Sequence, residues 1–111
     1  MKTPPYYEKM ANRRPCIVLE SGIDYGRFYG AALRWASRLG LLIEDRGDGV
    51  DCRIWTCKRE GCHFWLSFDD WFPHICLEPK DECAAAMICS IGVEVGISQP
   101  AEQDGSTPEM T

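Results

Sequence analysis

The chain has 111 residues, 45% hydrophobic and 26% charged, with a formal net charge of −5. That length supports one hydrophobic core rather than two. The charge excludes a general nucleic-acid binder and a protein held on an anionic membrane, since both need a basic field.

No apolar run reaches the ~18 residues of a membrane span. Residues 1–7 carry no apolar signal core, so the expected compartment is the cytosol. Seven cysteines, an odd number at irregular spacing, do not form a disulfide-framework pattern. Most of them read as reduced thiols packed as small hydrophobes.

In chain order, residues 1–14 are polar and contain Pro4-Pro5, and they read as a loosely ordered lead-in. The β-branched run Cys16-Ile17-Val18-Leu19-Glu20 predicts a first strand. Ser21-Gly22-Ile23-Asp24 turns the chain, with Asp24 placed as an N-cap. Over residues 25–39, Phe28, Ala31, Ala32, Trp35 and Leu39 recur at helical spacing, and Gly40 supplies the stop. Arg27, Arg34 and Arg38 fall on the solvent side of that helix.

Leu41-Leu42-Ile43-Glu44 restarts as a strand, followed by a turn at Arg46-Gly47-Asp48-Gly49. Residues 50–78 then read as a three-stranded meander. Lys80-Asp81-Glu82 opens a second helix whose apolar side is Cys83, Ala84, Met87, Ile88 and Ile91, with Gly92 as its end. Residues 93–97 predict a short closing strand, and residues 98–111 are too polar to fold. The expected architecture is a single α+β domain over residues 15–97. It has a four- or five-stranded, mainly antiparallel sheet and two helices on one face, in the order β-α-β-β-β-β-α.

The meander carries the functional reading. A three-residue loop, Arg59-Glu60-Gly61, pairs Lys58 with Cys62 and puts Cys52, Ile54, Phe64, Leu66 and Phe68 on the inner face. Trp55 then pairs with Trp65 on the outer face, beside Arg53, Cys57, His63, His74, Cys76 and Glu78. Tryptophan and arginine dominate protein-interface hot spots. The expected partner-binding residues are therefore Arg53, Trp55, Trp65 and His74, with the hairpin residues Asp69, Asp70 and Trp71.

The chemical alternative is a zinc-binding or thiol-based protein that uses Cys57, His63, His74 and Cys76. Their ligand types suit zinc, but their spacing is not that of paired-ligand sites. Cys57 beside His63 also offers a thiolate–imidazolium pair. No nucleophile elbow, Cys-x-x-Cys or phosphate loop accompanies these residues, so the reading leans away from an enzyme and expects no cofactor.

The segment Phe64-Trp65-Leu66-Ser67-Phe68-Asp69-Asp70-Trp71, with Ile75-Cys76-Leu77-Glu78-Pro79, resembles a strand–turn–strand pattern of small acidic bacterial proteins of immunity type. The resemblance implies a small α+β domain that binds and neutralises a toxin protein, and it transfers no site residue. The sequence thus predicts a cytosolic protein-binding module, with a basic toxin as its most specific partner and a homodimer as the alternative.

Overall fold

A computed structural model describes residues 3–97 of the chain. It is an α+β fold. Its strands are β1 (Tyr6–Lys9), β2 (Pro15–Ser21), β3 (Leu42–Asp48), β4 (Cys52–Arg59), β5 (Cys62–Asp69) and β6 (Phe72–Pro79), and its helices are α1 (Tyr25–Leu39) and α2 (Glu82–Glu94). The strands form one six-stranded antiparallel sheet in the order β1-β2-β6-β5-β4-β3. The additional strand is β1, in the segment read as a lead-in, where Tyr7 pairs with Ile17 at the sheet edge. No helix among the described residues is long and apolar enough to cross a membrane.

Both helices begin on a capping aspartate. Asp24 accepts from the Arg27 N–H at 2.8 Å and Asp81 from the Ala84 N–H at 2.8 Å, each satisfying a donor that the first helical turn leaves open. α1 stops at Gly40, whose φ of 67° costs glycine little. α2 does not stop at Gly92 but runs on to Glu94, so the closing strand expected at 93–97 is replaced by helix and turn. The expectation for 98–111 lies outside the described residues.

Phe28, Ala31, Ala32 and Leu39 of α1 join Ala84, Ile88 and Ile91 of α2 in one buried cluster. Ile17, Leu19, Trp55, Phe64, Leu66, Ile75 and Leu77 complete it from the strands. The side of the sheet bearing these residues is the core face, and the opposite side, which carries no helix among the described residues, is the helix-free face.

The β4–β5 hairpin corrects the expected register. Its loop has two residues, Glu60 and Gly61, with φ of 51° and 80°, and Arg59 pairs with Cys62. Both loop residues take the left-handed conformation, as in the two-residue turn whose twist matches the strands. The sequence reading reserved that conformation for glycine and so counted one residue too many. A one-residue slip turns every β4 side chain to the other face. Trp55 now faces Leu66 and Cys57 faces Phe64 in the core, whereas Ile54 turns outward and is 46% exposed. Burying an indole removes more apolar area from water than burying Ile54 would, so packing favours this register.

Candidate protein-interaction surface

The register divides the expected patch in two. Trp55 is fully buried, and its Nε1–H donates to Asp48 Oδ1 at 3.0 Å. Arg53 also lies on the core face, with its side chain 13% exposed. Its guanidinium sits 4.1 Å from the Tyr25 ring centre and 5.7 Å from that of Phe28, and its Nε is 3.3 Å from Asp48 Oδ1. These are cation–π and ion-pair contacts that hold the end of β4 to α1. Arg53 and Trp55 therefore leave the candidate surface.

Trp65 and His74 stay on the helix-free face. Trp65 is half-buried opposite Thr56 and Glu78, with Lys80 Nζ 5.9 Å from its ring centre. His74 lies opposite Ser21, and its Nδ1 is sealed from solvent without a hydrogen-bond partner among the described residues. A groove of about 340 Å³ runs along β6 on this face, lined by Cys52, Ile54, Asp69, Phe72, Cys76 and Glu78, with His74 among its walls. Ser67 Oγ donates to Glu78 Oε2 at 2.7 Å and fixes that carboxylate at one end.

At the other end of the groove is the β5–β6 hairpin. Asp69 Oδ1 accepts from the Trp71 N–H at 2.7 Å, a local side-chain turn that aspartate favours. This holds Trp71 and Phe72 out in solvent, 80% and 70% exposed. The Asp70 N–H donates to the Asp51 carbonyl at 2.9 Å, which draws the β3–β4 turn and the exposed Val50 alongside. Asp69, Asp70 and Trp71 are thus gathered as the sequence suggested. Phe72, Ile54 and Val50 complete the surface and were not singled out. The run Asp69-Asp70-Trp71-Phe72 held the signal for Phe72, because two aromatics after two acids in a turn have no core to enter.

The metal set does not assemble. Cys57 is on the core face opposite Phe64, and His63 is on the helix-free face. His63 instead bridges carboxylates, with Nδ1 3.2 Å from Asp81 Oδ2 and Nε2 3.5 Å from Glu44 Oε1. No group of three or more His, Cys, Asp or Glu suited to a metal ion occurs among the described residues.

Burial pushes the Cys57 thiol up to about 11 and the Cys76 thiol up to about 12, the latter reinforced by Glu78 and Glu8. Both are therefore protonated at neutral pH, the opposite of what a nucleophile needs. Five of the seven cysteines are free, in line with the expectation that most are reduced, and one pair is bonded. Cys62, buried at the start of β5, is disulfide-bonded to Cys83 in the first turn of α2, with a Cα–Cα distance of 5.2 Å. Cys16, Cys52, Cys57, Cys76 and Cys89 are free.

No curated protein and no solved structure matches the chain. One family model does, over residues 6–88, from β1 to the middle of α2 and across the whole hairpin surface. The chain therefore belongs to the family described as protein of unknown function (DUF3630).

Proposed function

We propose that this domain is a non-enzymatic protein-binding module whose contact surface is the β5–β6 hairpin end and the adjoining groove on the helix-free face. The observation that carries this reading is the exposure of two neighbouring aromatics, Trp71 at 80% and Phe72 at 70%. Large apolar side chains held clear of the core mark sites that a partner covers, and aromatics supply most of the energy at such sites. Ile54 and Val50 extend the apolar area on either side. The buried, protonated thiols support a non-catalytic role. Immunity-type neutralisation of a toxin is the most specific form of this role.

A photo-reactive amino acid at position 72, in cells that make the full chain, tests the reading. The expected result is a discrete adduct that is lost on Trp71→Ser and absent when the probe sits at position 33 on α1. No adduct at 72, or the same adduct from 33, would reject this surface as the contact site.

A further inference from the structure

From the charge distribution around the groove, and resting on the protein-binding reading above, we infer that the occupant is an extended, cationic segment of a partner protein. It lies along β6, with Lys or Arg side chains on Asp69 and Glu78 and apolar side chains over Ile54 and Cys76.

Among the described residues, the carboxylates fall into two groups. Glu20, Asp24, Asp48, Glu60, Glu82 and Glu94 each have an arginine partner, and Glu44 and Asp81 flank His63. Among the described residues, Glu8, Asp45, Asp51, Asp69, Asp70 and Glu78 have no ion-pair partner. All of them lie on the helix-free face or in the turns at its hairpin end. Most of the protein's arginines are elsewhere, and the cations on this face among the described residues are Lys58, beside His63, and Lys80, 5.9 Å from the Trp65 ring centre. Arg27, Arg34 and Arg38 project from α1 on the far side of the sheet, and Arg46 and Arg53 are stacked on aromatics of the core face.

The apolar groove is therefore rimmed by an excess of carboxylates, with Asp69 and Glu78 in no ion pair among the described residues. Complementary charge orients an approaching partner and fixes its register. A second copy of this chain would bring the same acids against one another, which disfavours a face-to-face homodimer.

The geometry also sets a spacing. The groove residues Phe72, His74, Cys76 and Glu78 alternate along β6, and Asp69 pairs with Phe72 at one end. From Phe72 to Glu78 the strand rises about 20 Å, so an extended segment meets both carboxylates with side chains about six positions apart. Its intervening inward positions are apolar.

A heptapeptide probe, Arg-Ser-Leu-Ser-Leu-Ser-Arg, follows this pattern, and Arg-Ser-Arg-Ser-Leu-Ser-Leu has the same composition with the charges clustered. Each is titrated into isotopically labelled full-length protein and followed by amide chemical shifts. The spaced peptide is expected to shift residues of the groove and to bind about fivefold more tightly than the clustered one. Its binding is expected to weaken between about 50 and about 300 mM salt as the charges are screened.

Asp69→Asn with Glu78→Gln keeps the hydrogen bonds to the Trp71 N–H and Ser67 Oγ but removes both charges, and it is expected to abolish the preference. Glu60→Gln with Glu82→Gln removes equal charge elsewhere and is expected to leave the preference intact. No binding, equal affinity for the two peptides, or equal loss in the two double variants would overturn the inference. If the adduct at position 72 forms but contains a second copy, or an acidic segment of another protein, the cationic occupant is wrong and the protein-binding reading survives. If no adduct forms, the protein-binding reading itself fails.

Discussion

Trp55 stands directly across the β4–β5 ladder from Leu66, and its indole N–H reaches Asp48 on β3 at 3.0 Å. One side chain thus fills the core beneath α1, where Phe28 meets it edge-on at 5.1 Å, and also ties the edge strand to its neighbour. Trp65, four positions past Gly61 on the other strand, lies on the opposite face. The two tryptophans should therefore respond differently to truncation. Trp55→Ala is expected to cost about 3–5 kcal/mol, as large core deletions do. Trp65→Ala is expected to cost about 1 kcal/mol and leave a cooperative fold. Trp55→Phe, which keeps much of the packing but loses the bond to Asp48, should fall between them. Urea denaturation of the three variants measures this, and equal losses for Trp55→Ala and Trp65→Ala would contradict the register.

The same hairpin shows what was legible in the sequence. Periodicity placed the helix at 25–39 and the strands of the meander, because alternation and the 3.6-residue repeat are properties of local sequence. Asp24 as an N-cap and the acids of Lys80-Asp81-Glu82 placed the two helix starts for the same reason. The register depended on whether Glu60 would accept a positive φ, and composition alone does not decide that. β1 was missed because a four-residue edge strand beside two prolines gains its stability from pairing with β2 and from packing Tyr7 under α2, both long-range effects. Of the candidate surface, Trp65, His74 and the hairpin residues follow from β5 and β6, whose faces were read correctly. Arg53 and Trp55 failed together because they share β4.

The Cys62–Cys83 bridge closes a 21-residue separation that spans β5, β6 and the start of α2. In the chain-entropy model, a cross-link over a loop of this size contributes roughly 3 kcal/mol by restricting the unfolded state. Protein unfolded without reductant and treated with an alkylating agent is expected to carry five labels, and with reductant seven. Thermal melts should show the reduced protein unfolding roughly 10–20 °C lower. Seven labels before reduction would remove the bridge from the account.

Asp81 joins the end of the sheet to α2. Its carboxylate accepts from the Ala84 N–H at 2.8 Å and from the His63 N–H at 3.2 Å, and its Oδ2 lies 3.2 Å from His63 Nδ1. The Ala84 bond leads in holding the carboxyl below its ordinary value of 3.8, with the His63 contacts adding to it. A depressed folded value means that the contribution is fully present above the unfolded value and is lost as pH falls from there through the folded one. Asp81→Asn keeps a capping side chain but does not titrate. The stability gap between the native chain and this variant should therefore shrink as pH falls below about 4. Asp81→Ala also loses the cap, at a cost of about 1 kcal/mol at neutral pH. Denaturation curves across this range decide the point. Glu94, also held below its ordinary value by Arg59, titrates in both chains and cancels in the comparison. A gap that stays constant to the lowest pH would show that the Asp81 charge adds nothing.

Gly92 lies where α2 crosses β1, and its place in the helix interior is set by a close approach. A β-carbon there would overlap the Tyr7 hydroxyl and sit 2.6 Å from Tyr7 Cζ, while Tyr7 itself is buried and donates from its hydroxyl to the Cys89 carbonyl at 3.4 Å. Alanine normally stabilises a helix relative to glycine by about 1 kcal/mol. Here overlap with a buried ring outweighs that gain, and Gly92→Ala is expected to destabilise by about 1–3 kcal/mol. Because the overlap falls on an edge strand of four residues, the chain has a way to relieve it by releasing β1 from β2. Amide exchange should therefore accelerate at Tyr7 and its partner Ile17 more than at Leu66 or Leu77 in the centre of the sheet. Tyr7→Ala in the Gly92→Ala background removes the overlap, so the second substitution should cost less there than in the native chain. If Gly92→Ala is instead more stable than the native protein, then α2 does not seat on Tyr7 and β1 is not held beneath it.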